Sequence, residues 1–147
     1  MCGIAGVFDL QGNREVPNGV VEKMTEALFH RGPDEDGYYQ TKGIAMGMRR
    51  LSIVGLKDGQ QPVSNENQTA HVVFNGELFD HVEQRDELKK RGHVLAKSCD
   101  TEIIPHLWED HGRDVFEKLR GQFAVALWDQ ENETLLLGRD RFGIAPL

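Results

Sequence analysis

Residues 121–139 read GQFAVALWDQENETLLLGR: two apolar runs, Gly121–Gln130 and Thr134–Arg139, on either side of Glu131-Asn132-Glu133. Each run is too short to be read as a core helix, and runs of this length bounded by polar turn residues predict strands. A three-residue link joins them as a hairpin, so the sheet they belong to is antiparallel.

Working outward, the rest of the chain alternates between the two periodicities. The stretch GIAGVF (3–8) is short and apolar and runs into DLQGN, the pattern of a buried strand ending in a turn. In residues 18–32 the apolar positions Val20, Val21, Met24, Ala27 and Leu28 repeat at helical spacing, and Gly32-Pro33 stops the helix. Strands follow at 43–54 (GIAMGMRRLSIV) and 69–76 (TAHVVFNG). The segment HVEQRDELKKRG (81–92) carries its acids early and its bases late, as the helix dipole favours, and ends on Gly92. In DTEIIPHLWEDHG (100–112) Asp100 is placed to cap a helix that Pro105 delays or bends. Strands gathered around two or three helices define an α+β domain. No internal repeat or low-complexity linker divides it.

A chain of 147 residues suffices for one core, burying roughly 70% of the surface its unfolded form exposes. The balance of 24 acidic and 17 basic residues gives a net charge of −7, and without a basic stripe nucleic acid is not an expected partner. Apolar runs such as FAVALW fall far short of the roughly 20 residues that span a bilayer, and a secretory leader pattern is lacking. These features predict a soluble, cytoplasmic protein without a membrane partner. Cys2 and Cys99 make no disulfide framework, and with neither CxxC nor HExxH the six histidines are not expected to converge on a metal.

The position of Cys2 is chemically unusual. Methionine is commonly removed before a small second residue, and Cys2 would then own the free α-amine. Only a thiolate is a good nucleophile, and an α-amine that titrates near neutrality can take the thiol proton, so nucleophile and base would be one residue. The plainer alternative is a first buried residue of an edge strand. Other residues shift the balance. Asn75-Gly76 reads as a hairpin turn, yet the Asn75 amide and the Gly76 N–H also make the smallest oxyanion hole. Arg50, in an apolar strand, needs a carboxylate from the protein or from a substrate. Asp100 is either a helix cap or the acceptor for a substrate ammonium. Together these groups describe a site for an α-amino acid.

The motifs MCGIAGVFD (1–9), HRGPDEDG (30–37), RLSIV (50–54), FNGELF (74–79), DTEII (100–104), GQFAVALWD (121–129) and GRDRFGIAPL (138–147) resemble, in order and spacing, the glutaminase domain of class II glutamine amidotransferases. The asparagine-synthetase branch is the best match. The resemblance implies an N-terminal nucleophile hydrolase fold, a four-layer αββα sandwich of two antiparallel sheets. It implies Cys2 as the nucleophile on the glutamine side-chain amide, with Asn75 and Gly76 holding the oxyanion. Substrate would be bound by Arg50, by backbone of Leu51, Ser52, Ile53 and Val54, and by Glu77 and Asp100, with no metal among the site residues. The chain departs from the family at Phe79-Asp80, Cys99 and Ala145. Residues 1–147 correspond to a glutaminase domain that the resemblance expects to continue past Leu147, and a stop there would leave strand edges open to association. No cofactor is implied within this chain; ATP and magnesium are implied for a C-terminal synthetase domain that would receive the ammonia. The partners implied are glutamine, that domain and, at most, a second copy as a homodimer. Two other readings compete: a glutamine-binding or regulatory module without turnover, and the glutaminase part of an amidotransferase with another acceptor.

Overall fold

The computed structural model describes residues 1–147 apart from Asn13, Val54 and Leu56. Its strands are β1 (Gly3–Phe8), β2 (Glu35–Thr41), β3 (Ile44–Arg50), β4 (Val63–Ser64), β5 (Ala70–Leu78), β6 (Gly121–Asp129) and β7 (Thr134–Arg139). The helices are α1 (Val20–Glu26), α2 (His81–Lys90), α3 (Ile103–His111), which a 3-10 turn at Asp100–Glu102 precedes, and the short α4 (Val115–Lys118). One sheet has the order β1-β3-β2 and the other β4-β5-β6-β7, and every pairing is antiparallel.

Alternation along each strand explains the layers. Ile44, Met46 and Met48 of β3 meet Val73 of β5 and Ala126 and Trp128 of β6 between the sheets. Ala45, on the opposite face of β3, packs with Val21 of α1. The second sheet presents Val72, Phe74, Phe123, Val125 and Leu127 outward to Leu88 of α2 and Ile103, Ile104 and Leu107 of α3. Both sheets are thus covered on both faces, giving a helix–sheet–sheet–helix sandwich. This is why β3 and β6 read as near-continuous apolar runs rather than alternating ones.

Two local readings are corrected by the fold. Asn75-Gly76 is not a turn: β5 runs on to Leu78, and its pairing with β6 continues from Ala70↔Asp129 through Gly76↔Phe123 to Leu78↔Gly121. A ladder of that length outweighs a local turn preference. Asp100 does not cap α3 either, because the chain enters through a 3-10 turn and α3 begins at Ile103 without a side-chain cap. The strand β2, EDGYYQT, gave no sequence signal; it lies at a sheet edge, and its residues alternate between half-buried and exposed.

Candidate active site

Cys2 is held although it stands next to the chain terminus. Pairing of β1 with β3 begins at Gly3↔Arg49 and sets Cys2 beside Leu51. The Leu51 N–H donates to Cys2 Sγ at 3.4 Å, and the thiol faces the Leu51 carbonyl at 3.7 Å. From the loop after α1, Arg31 Nε donates to the Cys2 carbonyl at 3.0 Å. These bonds remove the fraying expected of a terminal residue. The other cysteine differs: burial pushes the Cys99 thiol up, which keeps it protonated and inert.

Cys2 opens onto a cavity of about 110 Å³ at one end of the sandwich. Asn75, Gly76 and Glu77 line it from β5, Arg50, Leu51 and Ile53 from the end of β3, and Asp100 from the 3-10 turn. Residues from four separate parts of the sequence are thereby brought together. Asn75 shares the inter-sheet face with Val73, is 2% exposed, and its amide makes no hydrogen bond to the described residues. Gly76 fits because a Cβ there would collide with the Gln122 carbonyl and with Phe123. Ser52 does not line the cavity, and its N–H is engaged by Asp34 Oδ2 at 2.8 Å. Val54 lies outside the described residues.

The charged groups need a more detailed account than their types supply. Arg50 finds its carboxylate within the protein: Nη1 is 2.6 Å from Glu35 Oε2, and Nη2 donates to the Gly55 carbonyl at 2.7 Å. The guanidinium is therefore fixed in the cavity wall, with five N–H donors in total to distribute. Gly59 makes room for it, since a Cβ there would overlap Nη2 and Cζ. Asp100 is 5% exposed. Its Oδ2 accepts the Leu78 N–H at 3.0 Å and its Oδ1 lies 3.5 Å from Thr101 Oγ1. The hydrogen bond that a cap would have made is thus directed to β5, beside the cavity.

Three positioning devices had escaped the sequence reading. Gln61 accepts the Phe74 N–H at 2.7 Å and donates to Thr101 Oγ1 at 3.4 Å, tying the neighbours of Asn75 and Asp100 together. Buried Glu102 pairs with Arg85 Nη1 at 2.9 Å and accepts the N–H groups of Ala96 and Lys97 at 2.7 and 2.8 Å, while Arg85 Nη2 donates to the Cys99 carbonyl at 2.7 Å. This clamp fixes the loop that delivers Asp100. Asp140 gathers the N–H groups of Phe123, Phe142, Ile144 and Ala145 and so sets the wall formed by Ile144 and Ala145. Burial opposes its charge, but these donors outweigh it and hold the carboxyl at about 2. Away from this cavity, His93 and His106 converge with Glu66 and Glu109.

Two facing antiparallel sheets between helical layers, with a cysteine entering the first strand, define the N-terminal nucleophile hydrolase architecture. Over its whole length, residues 1–147, the chain matches the family described as glutamine amidotransferase domain, and it belongs to that family. It is 36% identical over 149 residues to asparagine synthetase [glutamine-hydrolyzing] 1 of Bacillus subtilis (strain 168), covering 100% of this chain and 24% of the relative. It is 35% identical over 147 residues to asparagine synthetase B [glutamine-hydrolyzing] of Escherichia coli (strain K12), covering 100% of this chain and 26% of the relative. The chain thus spans about a quarter of the length of these relatives. The fold is also similar to that of a solved glutamine phosphoribosylpyrophosphate amidotransferase from B. subtilis in complex with ADP and GMP. The TM-score is 0.58 at 21% identity, covering 97% of this chain and 31% of that one.

Proposed function

We propose that the chain hydrolyses the side-chain amide of glutamine through a thioester on Cys2. The observation that carries this reading is the single cavity shared by Cys2, Asn75, Gly76, Arg50 and Asp100. With Met1 removed, the α-amine takes the thiol proton and the thiolate attacks the amide carbon. The Asn75 amide and the Gly76 N–H hold the oxyanion that forms. Collapse of the tetrahedral intermediate breaks the C–N bond; the leaving nitrogen takes the proton and departs as ammonia. Water then attacks the thioester, releasing glutamate and restoring the thiol. Arg50, steadied by Glu35, binds the α-carboxylate, with Leu51 and Ile53 alongside. Asp100 and Glu77 receive the α-ammonium.

In this reading residues 1–147 are the glutaminase domain of a longer asparagine-synthetase-like amidotransferase in the cytoplasm. The ammonia would pass to a synthetase domain, where ATP and magnesium activate the acceptor. Among the described residues no helix is long and apolar enough to cross a membrane.

Steady-state release of glutamate and ammonia tests the proposal. Replacement of Cys2 by Ala is expected to abolish it with the melting temperature unchanged. The Cys2→Ser variant retains geometry without thiolate reactivity and is expected to be far slower. Hydrolysis by the Ala variant near the parent rate would refute the mechanism, and tight glutamine binding without turnover by the parent would leave only a binding module.

A further inference from the structure

Away from the cavity, four side chains converge from three parts of the chain: Glu66 in the turn between β4 and β5, His93 after α2, and His106 with Glu109 one turn apart on α3. One ligand atom from each lies within 4.8 Å of all the others. His106 Nδ1 is 3.2 Å from Glu66 Oε2 and 3.2 Å from Glu109 Oε2, and His93 Nδ1 is 3.4 Å from Glu109 Oε2. A tetrahedral cation with bonds of about 2.0–2.1 Å has ligand–ligand edges of roughly 3.3–3.4 Å, close to all three separations. A hydrogen-bond account is poorer: one imidazole nitrogen carries at most one proton, yet two carboxylates meet at His106 Nδ1.

Outer contacts aim His93 and Glu109 inward. His93 Nε2 is 3.0 Å from Asp110 Oδ1, which leaves Nδ1 facing the cluster, and Arg91 Nη1 holds the other oxygen of Asp110 at 3.0 Å. Glu109 Oε1 accepts from Asn65 Nδ2 at 2.9 Å, leaving Oε2 for the centre. A carboxylate behind a ligating histidine and an amide behind a ligating carboxylate are the supports that metal sites use. His106 is 1% exposed, so the centre is shielded on that side while Glu66 and Glu109 leave a path for entry.

We propose that Glu66, His93, His106 and Glu109 bind one divalent transition-metal cation of the zinc class. Two imidazoles and two carboxylates suit zinc or cobalt better than magnesium or calcium, which prefer oxygen alone. Two carboxylates match the charge of the dication. The cation ties α3 to the β4–β5 turn and to the loop after α2, and so braces the helical layer that follows Asp100.

The test is titration of chelator-treated protein with zinc chloride by calorimetry, and with cobalt(II) by visible absorption. One equivalent is expected, with tetrahedral d–d bands and a raised melting temperature, and excess magnesium should not displace it. His93→Gln and Glu66→Gln, at positions that retain solvent contact, should each weaken binding by more than the roughly 10–100-fold that loss of an outer support produces. The Cys2→Ala variant should retain the equivalent, since a thiolate and a free α-amine are the competing metal ligands. Absence of a saturable equivalent, its persistence in both ligand variants, its loss in Cys2→Ala or cobalt–thiolate charge-transfer bands would each overturn the site.

Discussion

Asp100 and Glu102 stand two residues apart in one 3-10 turn, 5% and 3% exposed, and the protein uses them in opposite ways. Glu102 is saturated by Arg85 and two backbone N–H groups. Asp100 has one backbone donor and lines the cavity. The same contrast separates two asparagines. Asn65 bonds Thr69 and Glu109 and accepts the N–H groups of Thr69 and Ala70, whereas the Asn75 amide has no such partner among the described residues. Buried polar groups are ordinarily satisfied, so a fully partnered one marks scaffold and an under-used one beside a cavity marks a place for a ligand.

The largest effect outside Cys2 should come from the scaffold side. Glu102→Ala leaves the largely enclosed Arg85 guanidinium without its carboxylate, which costs up to about 3–5 kcal/mol. That corresponds to a fall in melting temperature on the order of 10 °C for a chain of this size. A midpoint within a degree or two of the parent would show that the clamp is dispensable.

Asp100→Asn should divide along the other line. Its amide oxygen can still accept the Leu78 N–H, so stability should barely move. The lost charge leaves a substrate ammonium unpaired, a cost of about 2–5 kcal/mol, or roughly 30-fold to several-thousand-fold in kcat/KM for glutamine. Normal turnover would move the ammonium contact to Glu77. A large drop in melting temperature would return Asp100 to the scaffold.

The smallest effect belongs to Asp140. Its carboxyl is held at about 2, below the ordinary 3.8. A group depressed on folding stabilises the native state above its unfolded pKa, and that contribution is lost as pH falls through the folded one. Stability should therefore decline between about pH 4 and pH 2, and Asp140→Asn should flatten this part of an acid-denaturation profile. An unchanged profile would remove Asp140 from the account.

Much of the frame was legible. The strands β1, β3, β5, β6 and β7 follow from their apolar runs and α1 from its helical spacing, whereas α2, which buries only Leu88, was marked by its charge order and Gly92. What escaped has physical reasons. β2 is an edge strand with polar side chains, and β4 has two residues. Asn75-Gly76 carries a turn signal that the long ladder to β6 overrides. The types at Cys2, Asn75, Gly76, Arg50 and Asp100 suggested their grouping, but the Arg50–Glu35 pair and the Asp100–Leu78 bond join segments that no local pattern connects. The His93–His106 convergence was invisible for the same reason: its ligands lie on three elements, and only the His106–Glu109 spacing is local.

The central claim is that Cys2, freed of Met1, carries the glutamyl group. Acid-quenching the protein during turnover of glutamine, followed by intact mass and peptide mapping, tests it directly. The account predicts a chain lacking Met1 with a glutamyl adduct on the peptide that begins at Cys2, removed by hydroxylamine as a thioester should be. Release of glutamate and ammonia by a chain that retains Met1 and never carries the adduct would contradict it.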